Sequence, residues 1–260
     1  MIKRYDDGKT FIIDNFTFLD ENKYLSVFFY FDAELLIKTD SNNYAIKVEE
    51  DNKKLLALKV EPYNLLLYGD KECLKELLNY LNENKLNYDN IMCACDIGDC
   101  LLEDNKYELF LGMDFMAAHE YTEETSTNVI SANIDDLDEI FACVNYFIKD
   151  CHLADIPNID KIRNNINNYR IIKENNMIIS MASYSNDTDI SYRITNVYTR
   201  PEYRGMGYGR KVVNAIKNEI LDKGMIATLN VDKKNSISNH LYNKLGFKKV
   251  FSQGVYNIRK

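Results

Sequence analysis

The sequence predicts an α+β fold with mixed sheets, and three features lead to this prediction. Short extended runs alternate with segments of helical periodicity over most of the 260 residues. In the second half, one extended run ends at Pro201, and a glycine-rich turn and a helical pattern follow at once. The hydrophobic content of 46% is ordinary for a globular protein, and no apolar run approaches membrane-spanning length. We therefore expect sheets flanked by helices.

The chain is long enough for two domains of ordinary size. Its most polar break, residues 120–127, is interpreted as a linker. This interpretation gives an N-terminal α+β domain at 1–122 and a second domain at 127–260. The N-terminal domain is predicted to contain extended runs at 34–39, 43–49, 55–60 and 64–68, a helix at 71–84 and a strand at 90–95.

Periodicity and capping residues predict the elements of the second domain. A strand at 129–130 precedes a helix over about 133–149, and a second helix begins near 157. Three antiparallel strands follow at 170–174, 177–185 and 190–199, joined by turns at 175–176 and 185–187. A helix from Arg210, a strand at 226–231, a helix from Asn235 and a strand from Phe247 complete the domain.

The turn after Pro201 has the composition of an anion-binding loop. Its three glycines let the backbone bend tightly and approach a ligand, and the next helix presents free amide donors and its positive dipole end. A P-loop is excluded because the Gly-Lys-Ser/Thr triplet is missing, and the glycine spacing differs from the G-x-G-x-x-G dinucleotide motif. We expect this segment to bind a phosphate-bearing cofactor.

Two motifs resemble those of the GNAT superfamily of acyl-CoA N-acyltransferases. Residues 204–209 resemble its pyrophosphate motif R/Q-x-x-G-x-G/A, and residues 235–247 resemble N-x-x-A/S-x-x-L-Y-x-K-x-G-F at each fixed position. The resemblance covers 127–260 and implies a central, splayed, mostly antiparallel sheet flanked by helices. The first half has a similar rhythm of elements, but its turn carries only Gly69, followed by Asp70. We interpret it as a degenerate, non-catalytic GNAT-like domain, with an unrelated α+β domain as the alternative.

The resemblance implies that the cofactor is acetyl-CoA. Loop amides would hold its pyrophosphate with added charge from Arg204, and the strand end at 197–199 would pair with the pantetheine amides. A backbone amide of Val197 or Tyr198 would stabilise the oxyanion. The residues implied in cofactor binding are Val197, Tyr198, Thr199, Arg204, Gly205, Met206, Gly207, Tyr208, Gly209, Asn235 and Ser238.

Tyr242 is the candidate catalytic residue, because a phenol can protonate the thiolate of departing coenzyme A. The sequence does not identify the general base. Some family members carry a Glu on the strand before the loop, where this chain has Arg193, a candidate for binding a carboxylate of the acceptor. A carboxylate such as Glu174 or Glu202, or a water chain, would remove the amine proton, or the amine would arrive already neutral. His152 and Asp155 lie in the variable helical region that lines acceptor sites in relatives, and a capping or surface role is the alternative for both.

Charge is unevenly divided along the chain. Residues 1–125 hold 13 Lys/Arg and 26 Asp/Glu, whereas residues 126–260 hold 19 and 14. The basic half is the one with the phosphate loop, as a polyanionic ligand requires. The acidic total of −8 and the lack of a dense basic stripe argue against nucleic acid as a partner.

Six cysteines and no export signal predict buried thiols in a reducing cytoplasm, and Cys-x-Cys spacing at Cys93 and Cys95 is poor for zinc, so no metal is expected. No membrane partner is expected, and the oligomeric state is not predicted.

The sequence supports an enzyme that transfers an acetyl group from acetyl-CoA to a primary amine of a small molecule or peptide. A non-catalytic acyl-CoA sensor, or a protein-docking protein on the same scaffold, is the alternative. The identity of the acceptor is not encoded in a readable motif.

Overall fold

The computed structural model describes residues 1–122, 128–151 and 156–259. His152, Asp155 and most of the predicted linker lie outside these residues. The chain divides into two compact units. Unit 1 comprises Met1–Asp114, Asp232–Lys234 and Phe251–Lys260, and unit 2 comprises Phe115–Val231 and Asn235–Val250. The chain therefore passes between the units at Asp114, upstream of the polar stretch at 120–127, and its final residues belong to unit 1.

Unit 1 is a mixed sheet with helices. Its elements are β1 (Ile2–Tyr5), α1 (Gly8–Asp20), α2 (Lys23–Leu35), β2 (Tyr44–Glu50), β3 (Lys53–Lys59), β4 (Leu65–Gly69), α3 (Leu74–Glu83), β5 (Asn90–Ala94) and α4 (Cys95–Leu102). The strand β6 (Tyr107–Ala118) leaves the unit, and most of β12 (Lys248–Ile258) returns to it. The strand order is β1-β2-β3-β4-β5-β12. Only the β4–β5 pair among these is parallel.

Apolar residues on both faces of this sheet explain why it is covered on both sides. On one face, Leu74, Leu77 and Leu81 of α3 join a core cluster with the strands. On the other face, Phe11 and Phe29 of α1 and α2 do the same. The runs predicted at 43–49, 55–60, 64–68 and 90–95 are found as β2 to β5, because buried strands carry apolar residues on both faces.

The strand expected at 34–39 is wrong. Helix α2 extends to Leu35, and its N-terminus is capped by the Asn22 side chain, which accepts from the amide of Leu25. Aromatic residues are enriched in strands, so the run of Phe and Tyr in α2 carries a weak helical signal. Capping and burial against the sheet decide in favour of the helix.

Unit 2 has the same order of elements as unit 1. It contains β7 (Ile130–Ser131), α5 (Leu137–Asp150), α6 (Ile159–Asn164), β8 (Tyr169–Glu174), β9 (Met177–Thr188), β10 (Ser191–Thr199), α7 (Tyr208–Asp222), β11 (Ile226–Asp232) and α8 (Ser236–Lys244). The strand order is β11-β10-β9-β8-β7, with β10 and β11 parallel. The predicted α+β class, with mostly antiparallel sheets and flanking helices, is confirmed.

The turn expected at 185–187 is wrong, because β9 continues to Thr188. Asp187 is a buried strand residue whose carboxylate accepts from the Thr228 hydroxyl at 2.9 Å and pairs with Arg193. By contrast, the turn at 175–176 is confirmed, with both Asn175 and Asn176 at positive φ. No helix in the described ranges combines the length and apolar character needed to cross a membrane.

Candidate functional site in unit 2

Strands β10 and β11 separate along their length. Their parallel pairing joins Ser191, Tyr192 and Arg193 to residues 226–228, and no later pair between these two fully described strands is found. From Ile194 onward the strands diverge, so β10 has a free edge toward its carboxyl end. In α/β sheets, a gap at the carboxyl ends of parallel strands is a common ligand site.

A β-bulge lies in this free part of β10. The register with β9 shifts between Thr195 and Tyr198, and Asn196 within the bulge has φ 52°. Because the extra residue changes the alternation of side chains, Ile194 and Val197 pack with the α7 core while Tyr198 packs with the α5 core. The bulge therefore interrupts the pairing of β10 with β9 at Asn196 and Val197, and pairing resumes at Tyr198 opposite Met181. Val197 and Tyr198, whose amides are expected to face the thioester, lie where the pairing resumes.

Polar side chains hold the bulge in place. The Asn196 side-chain amide donates to the Ser183 hydroxyl at 2.9 Å and to the Tyr169 hydroxyl at 3.3 Å. Both acceptors are buried on neighbouring strands. Asn196 was not singled out from the sequence, although an Asn inside an extended run is an uncommon residue that could have been noticed.

The glycine loop connects the end of β10 to α7. Gly205 and Gly207 have φ 78° and 83°, a backbone conformation that other residues rarely adopt. Gly207 caps α7 and contributes no capping side chain, so first-turn amides of the helix are available to a ligand. A Cβ atom built on either glycine would meet no described atom within 4 Å. Conformation and open space, rather than crowding, thus account for these two glycines.

Gly209 lies where three elements meet. A Cβ atom at this position would lie 3.2 Å from the Thr199 hydroxyl of β10 and 3.8 Å from Leu241 of α8. The Thr199 hydroxyl is in turn 2.9 Å from the Ser180 hydroxyl. The two sequence motifs, far apart in the chain, are therefore brought to one place at the start of α7.

Arg204 is held beside the loop by protein groups. Its Nε donates to the Thr199 carbonyl at 3.0 Å and its Nη2 to the Asp150 carboxylate at 2.5 Å. Both charged side chains are about half exposed, so the pair is partly screened by solvent. Met206 is exposed, and Tyr208 packs edge-on against Tyr203.

Helix α8 begins and ends as expected. The Asn235 side chain accepts from the Ser238 amide at 3.0 Å, and Gly246 follows the helix at φ 83°. Asn235 is thus the N-cap, and the same hydrogen bond fixes the first turn that carries Ser238.

Tyr242 is the buried residue of this helix. Its ring packs edge-on against Phe247 at 6.0 Å between centroids, within the α7 core. Burial raises the pKa of the Tyr242 phenol, so the group is protonated at neutral pH. A proton donor must be in this state before transfer.

Arg193 forms an ion pair with Asp187 in the interior of unit 2. Burial raises the pKa of Asp187 and lowers that of Arg193, while their mutual attraction opposes both shifts. Thr228 of β11 donates to the same carboxylate at 2.9 Å. This arrangement ties β9, β10 and β11 together just before the strands diverge.

Two further residues support the site and were not predicted. Arg200, at the end of β10, donates from Nε to the Ile178 carbonyl at 2.7 Å and from Nη2 to Glu139 of α5 at 3.1 Å. The Glu139 carboxylate also accepts from the Ile178 amide at 2.6 Å. With the Arg204–Asp150 pair, these contacts attach α5 to the strand end that leads into the loop.

Comparisons with known proteins agree with this architecture. The FR47-like protein family model matches residues 176–255, which include β9, the glycine loop and α8. No curated protein matches the sequence. Among solved structures, an acetyltransferase of the GNAT family from Colwellia psychrerythraea is similar with a TM-score of 0.66 and 10% identity, covering 100% of both chains.

Two other structures give the same result. A GCN5-related N-acetyltransferase from Sphaerobacter thermophilus has a TM-score of 0.61 and 13% identity, covering 84% of this chain and 82% of its own. A Drosophila protein has a TM-score of 0.63 and 10% identity, covering 99% of this chain and 98% of its own. The chain has the GNAT N-acetyltransferase fold, and the resemblance inferred from the two motifs is confirmed at the level of the fold.

Proposed function

We propose that the protein is an N-acetyltransferase that moves an acetyl group from acetyl-CoA to a primary amine of a small molecule or peptide. The observation that carries the proposal is the glycine loop at the start of α7, which has open space around Gly205 and Gly207 and directly follows the bulged end of β10, whose edge toward β11 is free. Acetyl-CoA would supply an acyl group activated as a thioester. Unit 2 would supply the binding and proton-transfer groups.

The residues present fit such a ligand. Backbone amides of 205–209 and the helix dipole favour a diphosphate. The free edge of β10 at Val197, Tyr198 and Thr199 offers main-chain groups to the pantetheine amides. An amide of Val197 or Tyr198 would stabilise negative charge on the acyl oxygen, and Tyr242 would donate a proton to the departing sulfur.

The ion pair of Arg193 favours a structural role for this residue over acceptor binding, because Asp187 already engages its guanidinium. The amine proton must therefore be removed by another carboxylate or by water, or the amine must arrive already neutral. The presence of Arg193 where some family members carry a Glu also favours the second candidate, a non-catalytic acyl-CoA sensor. In unit 1, Asp70 replaces the phosphate loop, which supports a degenerate, non-catalytic GNAT-like domain there.

Isothermal titration of acetyl-CoA, together with a thiol-release assay over a panel of amines, separates the two candidates. Binding with turnover supports the transferase, and binding without turnover on any amine supports the sensor. No binding contradicts both.

Gly207→Ala tests the loop directly, and Gly224→Ala is the matched control. Gly224 follows the other end of α7, has φ 72° and also has open space around it. Each substitution strains the backbone by about 1 kcal/mol. We expect acetyl-CoA affinity to fall at least tenfold for Gly207→Ala and to stay within twofold for Gly224→Ala. Equal affinities for both variants would exclude the loop as the binding site.

A further inference from the structure

Unit 1 contains a cavity of about 220 Å³. Sixteen residues line it, among them Phe18, Phe28, Phe29, Asp70, Ala94 and Asp96. A liquid water molecule occupies about 30 Å³, and well-packed interiors contain few voids larger than one water. The cavity is therefore large enough for one small molecule.

The cavity lies where β4 and β5 diverge. Their parallel pairing joins Leu65 to Ile91 and Leu66 to Met92, and the residues that follow on both strands line the cavity. The α1–α2 hairpin covers it with aromatic side chains, including Phe18, Phe28 and Phe29. This is the type of position, at the carboxyl ends of parallel strands, where ligands bind in open sheets.

The cavity is not built for a phosphate. Gly69 is required by the close approach of β3, since a Cβ atom there would lie 2.1 Å from the Lys54 carbonyl oxygen. The Asp70 carboxylate accepts from the Lys54 amide at 2.8 Å and pairs with Lys53 at 3.2 Å. A carboxylate thus stands at the strand-to-helix turn, where a bound anion would need donors.

The lining selects ligand charge. Asp96 contributes a carboxylate, that of Asp70 is already paired with Lys53, and none of the sixteen lining residues, all of them described, is Lys, Arg or His. The ammonium group of Lys54 lies 5.0 Å from the ring centre of Phe18 and is paired with Glu49 at 3.3 Å. Aromatic faces and carboxylates both attract a cation, whereas an anion would be repelled.

We propose that this cavity is a binding site for a small primary amine with an apolar or aromatic body, separate from the loop of unit 2. The aromatic residues hold the apolar body, and Asp96, exposed at the start of α4, faces the ammonium group at the mouth. The site does not depend on the acetyltransferase activity proposed above.

The test is titration of the full chain with three probes of matched size: 2-phenylethylamine, 2-phenylethanol and phenylacetate. We expect 2-phenylethylamine to bind best and phenylacetate at least tenfold more weakly. Methyl NMR signals of Leu66 and Ile97, which line the cavity, should shift with the amine, while those of Val213 and Ile216 in unit 2 should not. These NMR shifts are measured on the unaltered chain, so they do not depend on whether a variant folds.

Two substitutions complete the test. Ala94→Phe should fill the cavity and weaken amine binding at least tenfold. Asp96→Asn should remove the preference for the amine over 2-phenylethanol, whereas Asp99→Asn, on the same helix but outside the lining, should not. The proposal is overturned if the amine shifts no cavity methyl at millimolar concentration, if phenylacetate binds as tightly, or if Ala94→Phe folds and binds unchanged. Acetyl-CoA is absent from these measurements, so failure here leaves the unit 2 proposal unaffected.

Discussion

Asn196 combines an unusual backbone with an anchored side chain. Its φ of 52° lies in the left-handed region, which Asn tolerates better than most residues. Its side-chain amide donates to the hydroxyls of Ser183 on β9 and Tyr169 on β8, and these two hydrogen bonds hold the bulge in place. We infer that this anchor positions the main-chain groups of Val197 for the ligand.

Asn196→Gly keeps the backbone conformation but removes both hydrogen bonds. We expect a loss of about 1–2 kcal/mol in the free energy of unfolding and a severalfold loss in acetyl-CoA affinity. Asn196→Ala should be less stable still, by about 1 kcal/mol, because Ala is strained at this φ. Chemical denaturation and titration measure the two effects.

Asn175→Gly is the control, since Asn175 also has positive φ but lies in the β8–β9 turn. It should leave acetyl-CoA affinity unchanged. If Asn196→Ala were as stable as Asn196→Gly, the left-handed conformation would not be the reason for Asn at this position.

Tyr242→Phe tests the proton donor. Removing the hydroxyl should lower turnover about 10²-fold or more, the usual range for loss of a general acid, with little change in acetyl-CoA affinity. The measurement is steady-state thiol release. Tyr184→Phe is a matched control, because its hydroxyl donates to Glu219 in a surface-side network. Unchanged turnover in Tyr242→Phe would leave the residue with a packing role only.

At the scale of elements, helix α2 contains a buried acid. Asp32 is 9% exposed, and burial raises its pKa to about 6, an effect that nearby Lys59 partly offsets. A carboxyl whose pKa is higher in the folded state favours folding when protonated. Its contribution is complete below the unfolded value near 3.8 and is lost as the pH rises through about 6.

Asp32→Asn should therefore raise the free energy of unfolding at pH 8 by about 1–3 kcal/mol, given 1.36 kcal/mol per pKa unit. The gain should shrink as the pH falls below 6 and disappear near pH 4. Denaturation at a series of pH values measures it. A gain that persists at pH 4 would mean that ionisation of Asp32 is not its source.

Sequence predicts best the elements whose determinants are local. The glycine loop, the Asn235 cap and the Asn175–Asn176 turn each depend on the conformational preferences of one or two residues. Helices α1 and α2 were missed because aromatic residues give them a mixed signal that packing against the sheet resolves. The Arg193–Asp187 pair and the Arg200–Glu139 pair depend on which strands become neighbours, and no local pattern encodes that choice.

At the scale of the molecule, the C-terminal strand belongs to both halves of the sequence. Residues 253–257 of β12 pair antiparallel with residues 90–94 of β5 in unit 1. The Tyr256 ring packs against Gly98 of α4, where a Cβ atom would collide with its hydroxyl, and is 2% exposed. A domain boundary placed from a polar stretch at 120–127 assigns this strand to the second domain, since chain order alone does not reveal its partner.

Removal of residues 251–260 should unfold unit 1, while the backbone amides of the unit 2 helices should stay protected from hydrogen exchange. The deletion takes away buried Val255 and Tyr256, each contributing about 1.5–3 kcal/mol, and exposes the edge of β5. Hydrogen exchange resolved by residue measures the outcome. Removal of Arg259 and Lys260 alone, which follow the strand, is the control and should have little effect. Persistent protection of β5 in the longer deletion would contradict this dependence.

The position of this strand has a consequence during synthesis on the ribosome. The amino-terminal unit emerges first, yet the residues that complete its sheet are translated after the whole of the glycine-loop unit. Unit 1 therefore stays partly folded, with the edge of β5 open to other nascent chains, until residues 251–260 leave the exit tunnel. Chaperone dependence should therefore concentrate on unit 1, most of which is made before the segment that completes its sheet.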